Sequence, residues 1–210
     1  MKQEERKDFD KEAAQWDANP GRVKLANDVA DAIIREAAPS RDMDALDFGC
    51  GTGLVTLRLQ PLVRSITGVD SSQGMLGVLR KKAELQGFSN VGAQFVDFEK
   101  GGRIEGAFHL IVSSMTLHHV PGTAALFRQW HELLVPGGLL CVADLDTEDG
   151  SFHGDNTGVF HLGFDREHMK KLLRETGFND IRDTTATTMM RDVAGGGKRG
   201  FPVFLIAARK

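Results

Sequence analysis

Apolar residues recur along this chain in two alternating patterns. Across residues 22–38, Leu25, Ala26, Val29, Ala30, Ile33, Ile34 and Ala37 fall at helical spacing, which describes one buried stripe on an amphipathic helix, and Pro39 stops it. Short, nearly continuous apolar runs at 45–48, 65–69, 91–96, 108–115 and 139–143 read as strands, and 108–115 is of the kind buried on both faces of a sheet. Helical patterns separate them: 54–59, then a stretch carrying Met75, Leu76, Leu79, Ala83 and Leu85 up to Gly87, then 124–134, which halts at Val-Pro-Gly-Gly. Phe164 opens a last helix with Met169, Leu172 and Leu173 as its stripe and Gly177 as its stop. Two strand patterns, 180–190 and 201–208, close the chain and are joined only by a glycine-rich connector. They must be antiparallel, since a parallel crossover needs about a dozen residues. Five βα-type units ending in a hairpin predict a doubly wound α/β sheet in a single domain spanning 1–210.

Two stretches fall outside that alternation. The first, 1–21, is charged but carries Phe9, Ala13, Ala14 and Trp16, and Asn-Pro-Gly at 19–21 breaks it from the first helix; its composition fits an arm or lid that folds over a site and equally a frayed terminus, and an arm is the expectation. The second, 147–163, is a polar loop with Gly150, Gly154, Gly158 and Gly163, long for a compact domain and expected to be a substrate loop.

The chemistry concentrates after the first strand. Gly49, Gly51 and Gly53 follow it before the helical pattern resumes, and such a turn lets a ligand approach the backbone closely. Asp70 ends the next strand seventeen residues after Gly53, where a doubly wound sheet places the acid that grips ribose hydroxyls. Ser71 and Ser72 follow as helix-capping residues.

Composition narrows the partners. With 210 residues, 41% hydrophobic, 26% charged and a net charge of -3, the chain has no clustered Lys and Arg of the kind nucleic acid or an anionic membrane requires. Neither partner is expected. Cys50 and Cys141 are the two cysteines, both in apolar or glycine-rich contexts, which favours reduced thiols. The start has no apolar leader and no run approaches the ~20 apolar residues of a membrane span, so a cytoplasmic protein is expected. The oligomeric state is not legible.

Across roughly residues 9–210 the chain resembles the class I S-adenosylmethionine-dependent methyltransferases, in particular the small-molecule branch of the ubiquinone/menaquinone-biosynthesis type. The resemblance rests on motifs in order: Leu46-Asp47-Phe48-Gly49-Cys50-Gly51-Thr52-Gly53, then Val69-Asp70-Ser71 with Met75, then Asp97-Phe98, then residues 108–119 with their Leu-His-His ending, then Leu134-Val135-Pro136-Gly137-Gly138-Leu139. It implies a Rossmann-like seven-stranded sheet with its last strand antiparallel and helices on both faces. It also implies S-adenosyl-L-methionine as cofactor and a small-molecule methyl acceptor. Under it, Gly49, Cys50, Gly51 and Gly53 close around the methionine part, and Asp47 orders the turn or receives the amino group. Asp70 and Ser71 take the ribose side, Asp97 and Phe98 address the adenine amino group, and Met75 packs on the ring. Ser113 faces the sulfonium end, and Trp16 on the arm covers the ligand.

In-line methyl transfer asks mainly for positioning and exclusion of water, with a base where the acceptor loses a proton. Histidine suits that task near neutral pH. His153 and His161 on the loop and His118 after the fourth strand are the candidates, with His119 beside them. Two other readings stay open on the residues alone. One is a catalytically silent S-adenosylmethionine-binding protein on the same fold. The other is a nicotinamide-dependent oxidoreductase, against which stand the G-x-G-x-G spacing and the absence of any Tyr. A metal could be imagined on Asp144, Asp146, Glu148, Asp149, His153 and Asp155, but carboxylate-rich loops are usually solvated and the fourth strand ends in Ser113-Ser114 rather than an acid, so no metal is expected.

Overall fold

The computed structural model describes residues 8–193 and 196–210. Seven strands form one sheet: β1 (Asp44–Phe48), β2 (Ser65–Asp70), β3 (Val91–Phe95), β4 (Phe108–Ser114), β5 (Leu134–Leu145), β6 (Asn179–Asp192) and β7 (Lys198–Arg209). Their spatial order is β3-β2-β1-β4-β5-β7-β6. The first five pair in parallel, and β7 inserts antiparallel between β5 and β6. The predicted doubly wound sheet with an antiparallel last strand is therefore the observed one. Chain order reverses between β1 and β4, and at such a switch point the carboxyl ends of parallel strands leave a crevice.

Among the described residues six α-helices complete the fold: α1 (Phe9–Glu12), α2 (Pro20–Ala37), α3 (Leu54–Leu59), α4 (Gln73–Leu85), α5 (Thr123–Leu133) and α6 (Arg166–Glu175). Their starts follow local chemistry. Asn19 caps α2 by accepting from Gly21 N and Arg22 N with Pro20 at the first position, Ser72 caps α4 by accepting from Met75 N, and Asp165 caps α6 by accepting from His168 N. The stripe of α2 packs with Val55 and Leu59 of α3 against Ile66, Leu110, Val112 and Cys141 on one face of the sheet. Trp130 and Phe127 of α5, with Met169 and Leu173 of α6, pack on the other face against Ile111, Val142 and Phe204. Among the described residues no helix is long and apolar enough to cross a membrane.

Three boundaries differ from the sequence reading, each for a tertiary reason. The Val-Pro-Gly-Gly stretch lies inside β5. Phe108 pairs with Leu134 and Leu110 with Leu139, so the turn is absorbed as an irregularity in the ladder, with Gly137 at φ 77°. Phe164 does not open a helix. It bridges Asp146 and donates its N–H to Leu145 O, leaving Asp165 to cap α6. The terminal strands extend beyond their apolar cores to 179–192 and 198–209, because hairpin pairing supplies hydrogen bonds that hydropathy does not register.

The arm is ordered in its described part and docked. Beyond α1 it continues as a 3-10 turn, Ala13–Ala18, with Ala13 buried. Asp10 accepts from Gly74 N (2.7 Å) and from the Ser72 hydroxyl, and Asp17 accepts from the Thr52 hydroxyl (2.6 Å) and Lys82 Nζ (2.8 Å). A Cβ on Gly74 would stand 3.0 Å from the Asp10 backbone, so this glycine permits the close approach. Residues 1–7 of the predicted arm lie outside the described residues.

Candidate active site

A cavity of about 390 Å³ opens at the carboxyl ends of β1, β2 and β4. The glycine turn forms one wall, but its three glycines do different work. All have positive φ. A Cβ on Gly49 would lie 2.2 Å from the Thr116 side chain and one on Gly53 2.3 Å from Leu79, whereas one on Gly51 would meet nothing within 4 Å. Gly49 and Gly53 are therefore fixed by packing. Gly51 is the one that leaves space on the cavity wall, and Gly53 is not on that wall.

Asp70 ties the turn to the next helix. Its Oδ2 accepts from Gly51 N (2.8 Å) and its Oδ1 from Ser72 N (2.9 Å). Burial raises its pKa above the ordinary carboxylate value while these N–H groups pull it down. Each oxygen retains acceptor capacity toward the cavity, so adjacent hydroxyls of a sugar fit here. Asp47, buried beneath the turn, accepts from the Thr56 hydroxyl at 2.6 Å. Burial first, and the charge of Asp70 besides, push its pKa up to about 7. A cationic group entering beside these two acids relieves that penalty. Ser71 and Met75 line the cavity beyond Asp70. Asp97 and Phe98 line it from the end of β3; Asp97 caps the following turn and pairs with Lys100 Nζ (3.0 Å), while Phe98 packs on Phe48 with ring centroids 4.7 Å apart.

The other end holds three imidazoles. His118 is buried, and its Nδ1 lies 2.7 Å from Asp144 Oδ1, itself fully buried. His118 N donates to the second carboxylate oxygen. Burial works to raise Asp144, but the His118 ring and the N–H groups of Leu145 and His118 outweigh it and hold the carboxyl below its ordinary value. With Nδ1 engaged by the carboxylate, Nε2 is the ring atom left to exchange a proton. His119 stacks 4.2 Å from His118 and directs its Nδ1 to Gly158 O (2.7 Å); burial, with His118 adding, lowers its pKa to about 4. His153 completes the cluster 5.0 Å from His118.

Besides Gly53, two predicted residues stand elsewhere. His161 is off the cavity wall, its Nε2 bonded to Val120 O (2.9 Å) and its ring packed on Phe164. Ser113 is buried on the α5 side of β4, and the strand-end positions that reach the cavity are Ser114 and Thr116. Cys50 is on the wall but packed against Leu76 and Leu79. Trp16 is on the wall, meeting Phe9 edge to face, with the guanidinium of Arg22 3.7 Å over its ring. The loop acids are bound up in ion pairs or turns: Asp146 holds Arg166 through both oxygens, and Asp149 meets Arg199. Sequence reading missed Arg22, Thr116, Phe152 and Arg191 as wall residues and Asp144 as the partner of His118. Arg22 and Phe152 sit in stretches the pattern explains as helix start and loop, and no local signal marks the others.

The family described as methyltransferase domain matches residues 45–138. An uncharacterized methyltransferase of Schizosaccharomyces pombe is 34% identical over 135 residues, and a ubiquinone biosynthesis O-methyltransferase of Coxiella burnetii is 31% identical over 140. These matches cover 58% and 65% of this chain but 48% and 59% of the relatives' own lengths. Among solved structures, YcgJ of Bacillus subtilis superposes with a TM-score of 0.70 at 15% identity, covering 88% of this chain and 98% of that one. The phosphoethanolamine N-methyltransferase 2 of Haemonchus contortus, solved in complex with S-adenosyl-L-methionine, superposes with a TM-score of 0.71 at 15% identity over 96% of this chain and 60% of its own. Residues 45–138 thus match a methyltransferase domain, and the chain shares its fold with solved S-adenosylmethionine-dependent methyltransferases.

Proposed function

We propose that this protein transfers a methyl group from S-adenosylmethionine to a small-molecule acceptor. The observation that carries the reading is that one cavity runs from the Gly51–Asp70 contact to the His118–Asp144 pair. When bound, S-adenosylmethionine supplies an activated methyl group on a sulfonium. Asp70 accepts from the ribose hydroxyls, and its bonds to Gly51 N and Ser72 N hold it rigid for that task. Asp47 gives up its proton when the cationic amino-acid end settles beside it. Met75 and Phe98 flank the base, with Asp97 at its edge. The size of the cavity, and its closure by the docked arm and by Phe152 and His153 of the loop, favour a small acceptor and a dry site.

His118 is the base this arrangement supports ahead of His153 and His161. Asp144 holds the Nδ1 proton, and Nε2 takes the proton that a hydroxyl or ammonium acceptor releases. The half-buried His119 ring packs against it.

Mass spectrometry of the purified protein for co-bound S-adenosylmethionine or S-adenosylhomocysteine, followed by calorimetric titration with S-adenosylhomocysteine, tests the reading. Micromolar or tighter binding is expected. No heat and no co-purified ligand would defeat it.

A further inference from the structure

We infer that the acceptor carries an anionic group, a carboxylate or a phosphate, and that Arg191 receives it. The term acceptor rests on the methyl-transfer reading above; the anion site itself does not.

Arg191 is the penultimate residue of β6, at the carboxyl edge of the sheet, and lines the same cavity as Phe152, His153 and His118. Its guanidinium carbon lies 4.5 Å from the centroid of the Phe152 ring, so one flat face is covered and the plane of N–H donors is held in a fixed orientation. Phe152 is itself fixed, buried against Phe201 (5.4 Å between centroids) with its N–H donated to Glu148. The Nε–H of Arg191 is shielded from solvent and meets no acceptor among the described residues. The contrast with the neighbouring arginines is informative: Arg22 pairs with Glu12, Arg166 with Asp146 and Asp183, and Arg199 with Asp149. Asp155, on the same stretch of wall, accepts from Thr157 N and Oγ1.

A guanidinium does not shed its proton, so a buried N–H without an acceptor carries a desolvation cost that a ligand oxygen removes. Burial first, and Arg22 second, lower the Arg191 pKa, the direction taken by a cation without a counter-charge. Three acids, Asp47, Asp70 and Asp97, gather around the glycine-turn side of the cavity, whereas the Arg191 side holds the imidazoles and the one carboxylate of Asp155. Cationic groups of the methyl donor belong to the first region. A planar or tetrahedral anion, matched by the in-plane fork of Arg191, belongs to the second and sets the acceptor's nucleophile near His118 and His153.

The test uses the full chain with and without saturating S-adenosylhomocysteine, titrated by ligand-observed NMR with benzoate, phenyl phosphate and the neutral benzamide. At least one of the two anions is expected to bind wild type at least tenfold more tightly than benzamide, and which one identifies the anion. Arg191→Met should abolish that preference while leaving S-adenosylhomocysteine affinity and the melting temperature near wild type, and Arg191→Lys should retain part of it. The inference is overturned if benzamide binds as well as both anions, if neither anion binds wild type, or if Arg191→Met keeps the preference. It is also overturned if Arg191→Met weakens S-adenosylhomocysteine by the same factor, which would assign the residue to the donor's own carboxylate. Failure of S-adenosylhomocysteine to bind wild type defeats the methyl-transfer reading instead, and the anion arms on the ligand-free protein still decide the site.

Discussion

His118 Nδ1 and Asp144 Oδ1 lie 2.7 Å apart, both side chains shut off from solvent, one just past the end of β4 and the other near the end of β5. Replacing the carboxylate by an amide keeps the shape but allows the ring to adopt the tautomer with its proton on Nε2. Asp144→Asn is therefore expected to lower kcat for an acceptor that must lose a proton by roughly 100-fold or more, with KM little changed. Steady-state kinetics on a folded variant check this; an unchanged kcat would remove His118 as the base.

Asp70→Ala should weaken S-adenosylhomocysteine by ~1.5–3 kcal/mol, the size of a lost hydrogen bond to a charged group. The structure adds a second effect, because Gly51 N and Ser72 N lose their acceptor, so the melting temperature should fall as well. Calorimetry and thermal unfolding measure the two separately. Unchanged affinity in a folded variant removes Asp70 from the site.

Gly51→Val should collapse binding. A branched side chain at φ 53° is strained, and it would project into the open space against the cavity. A variant that binds normally would show that the turn is purely structural.

Asp47 gives a pH dependence with a definite sign. Its folded-state pKa is raised to about 7 from 3.8, so the ligand-free protein takes up a proton on folding, and its stability declines as pH rises from about 4 through 7. A cationic ligand reverses this by favouring the carboxylate. S-adenosylhomocysteine affinity should therefore rise by about tenfold between pH 6 and pH 8, and Asp47→Asn should flatten the profile. His119 carries the opposite dependence: its lowered pKa of about 4 contributes stability that is present above pH 6.5 and lost as pH falls toward 4. A level affinity profile in wild type would show that no cation docks beside Asp47.

The arm and loop should tighten over bound ligand. Hydrogen exchange is expected to show residues 8–20 and 147–163 gaining protection when S-adenosylhomocysteine is added, with 45–48 changing little because that strand is already buried. Equal protection in both states would make them fixed walls rather than lids.

Hydropathy alone determined the sheet, the hairpin and the glycine turn with its following acid. Each is a local consequence of side-chain period, of glycine's tolerance of positive φ, and of the minimum length of a parallel crossover. Asp70 was legible from its place at a strand end, whereas Asp47, Met75 and Trp16 entered through the family resemblance; all four line the cavity. Tertiary structure decided the rest. His118 and Asp144 are 26 residues apart and meet because β4 and β5 pair side by side. His161 was indistinguishable from His153 by sequence, yet the loop's docking turns it onto Val120 O while His153 faces the cavity. Arg191 joins the wall because β7 inserts between β5 and β6, carrying the end of β6 to the cavity where Phe152 and Phe201 pack. Such juxtapositions depend on strand order and loop packing, which involve residues far apart in the chain, and no local periodicity encodes them.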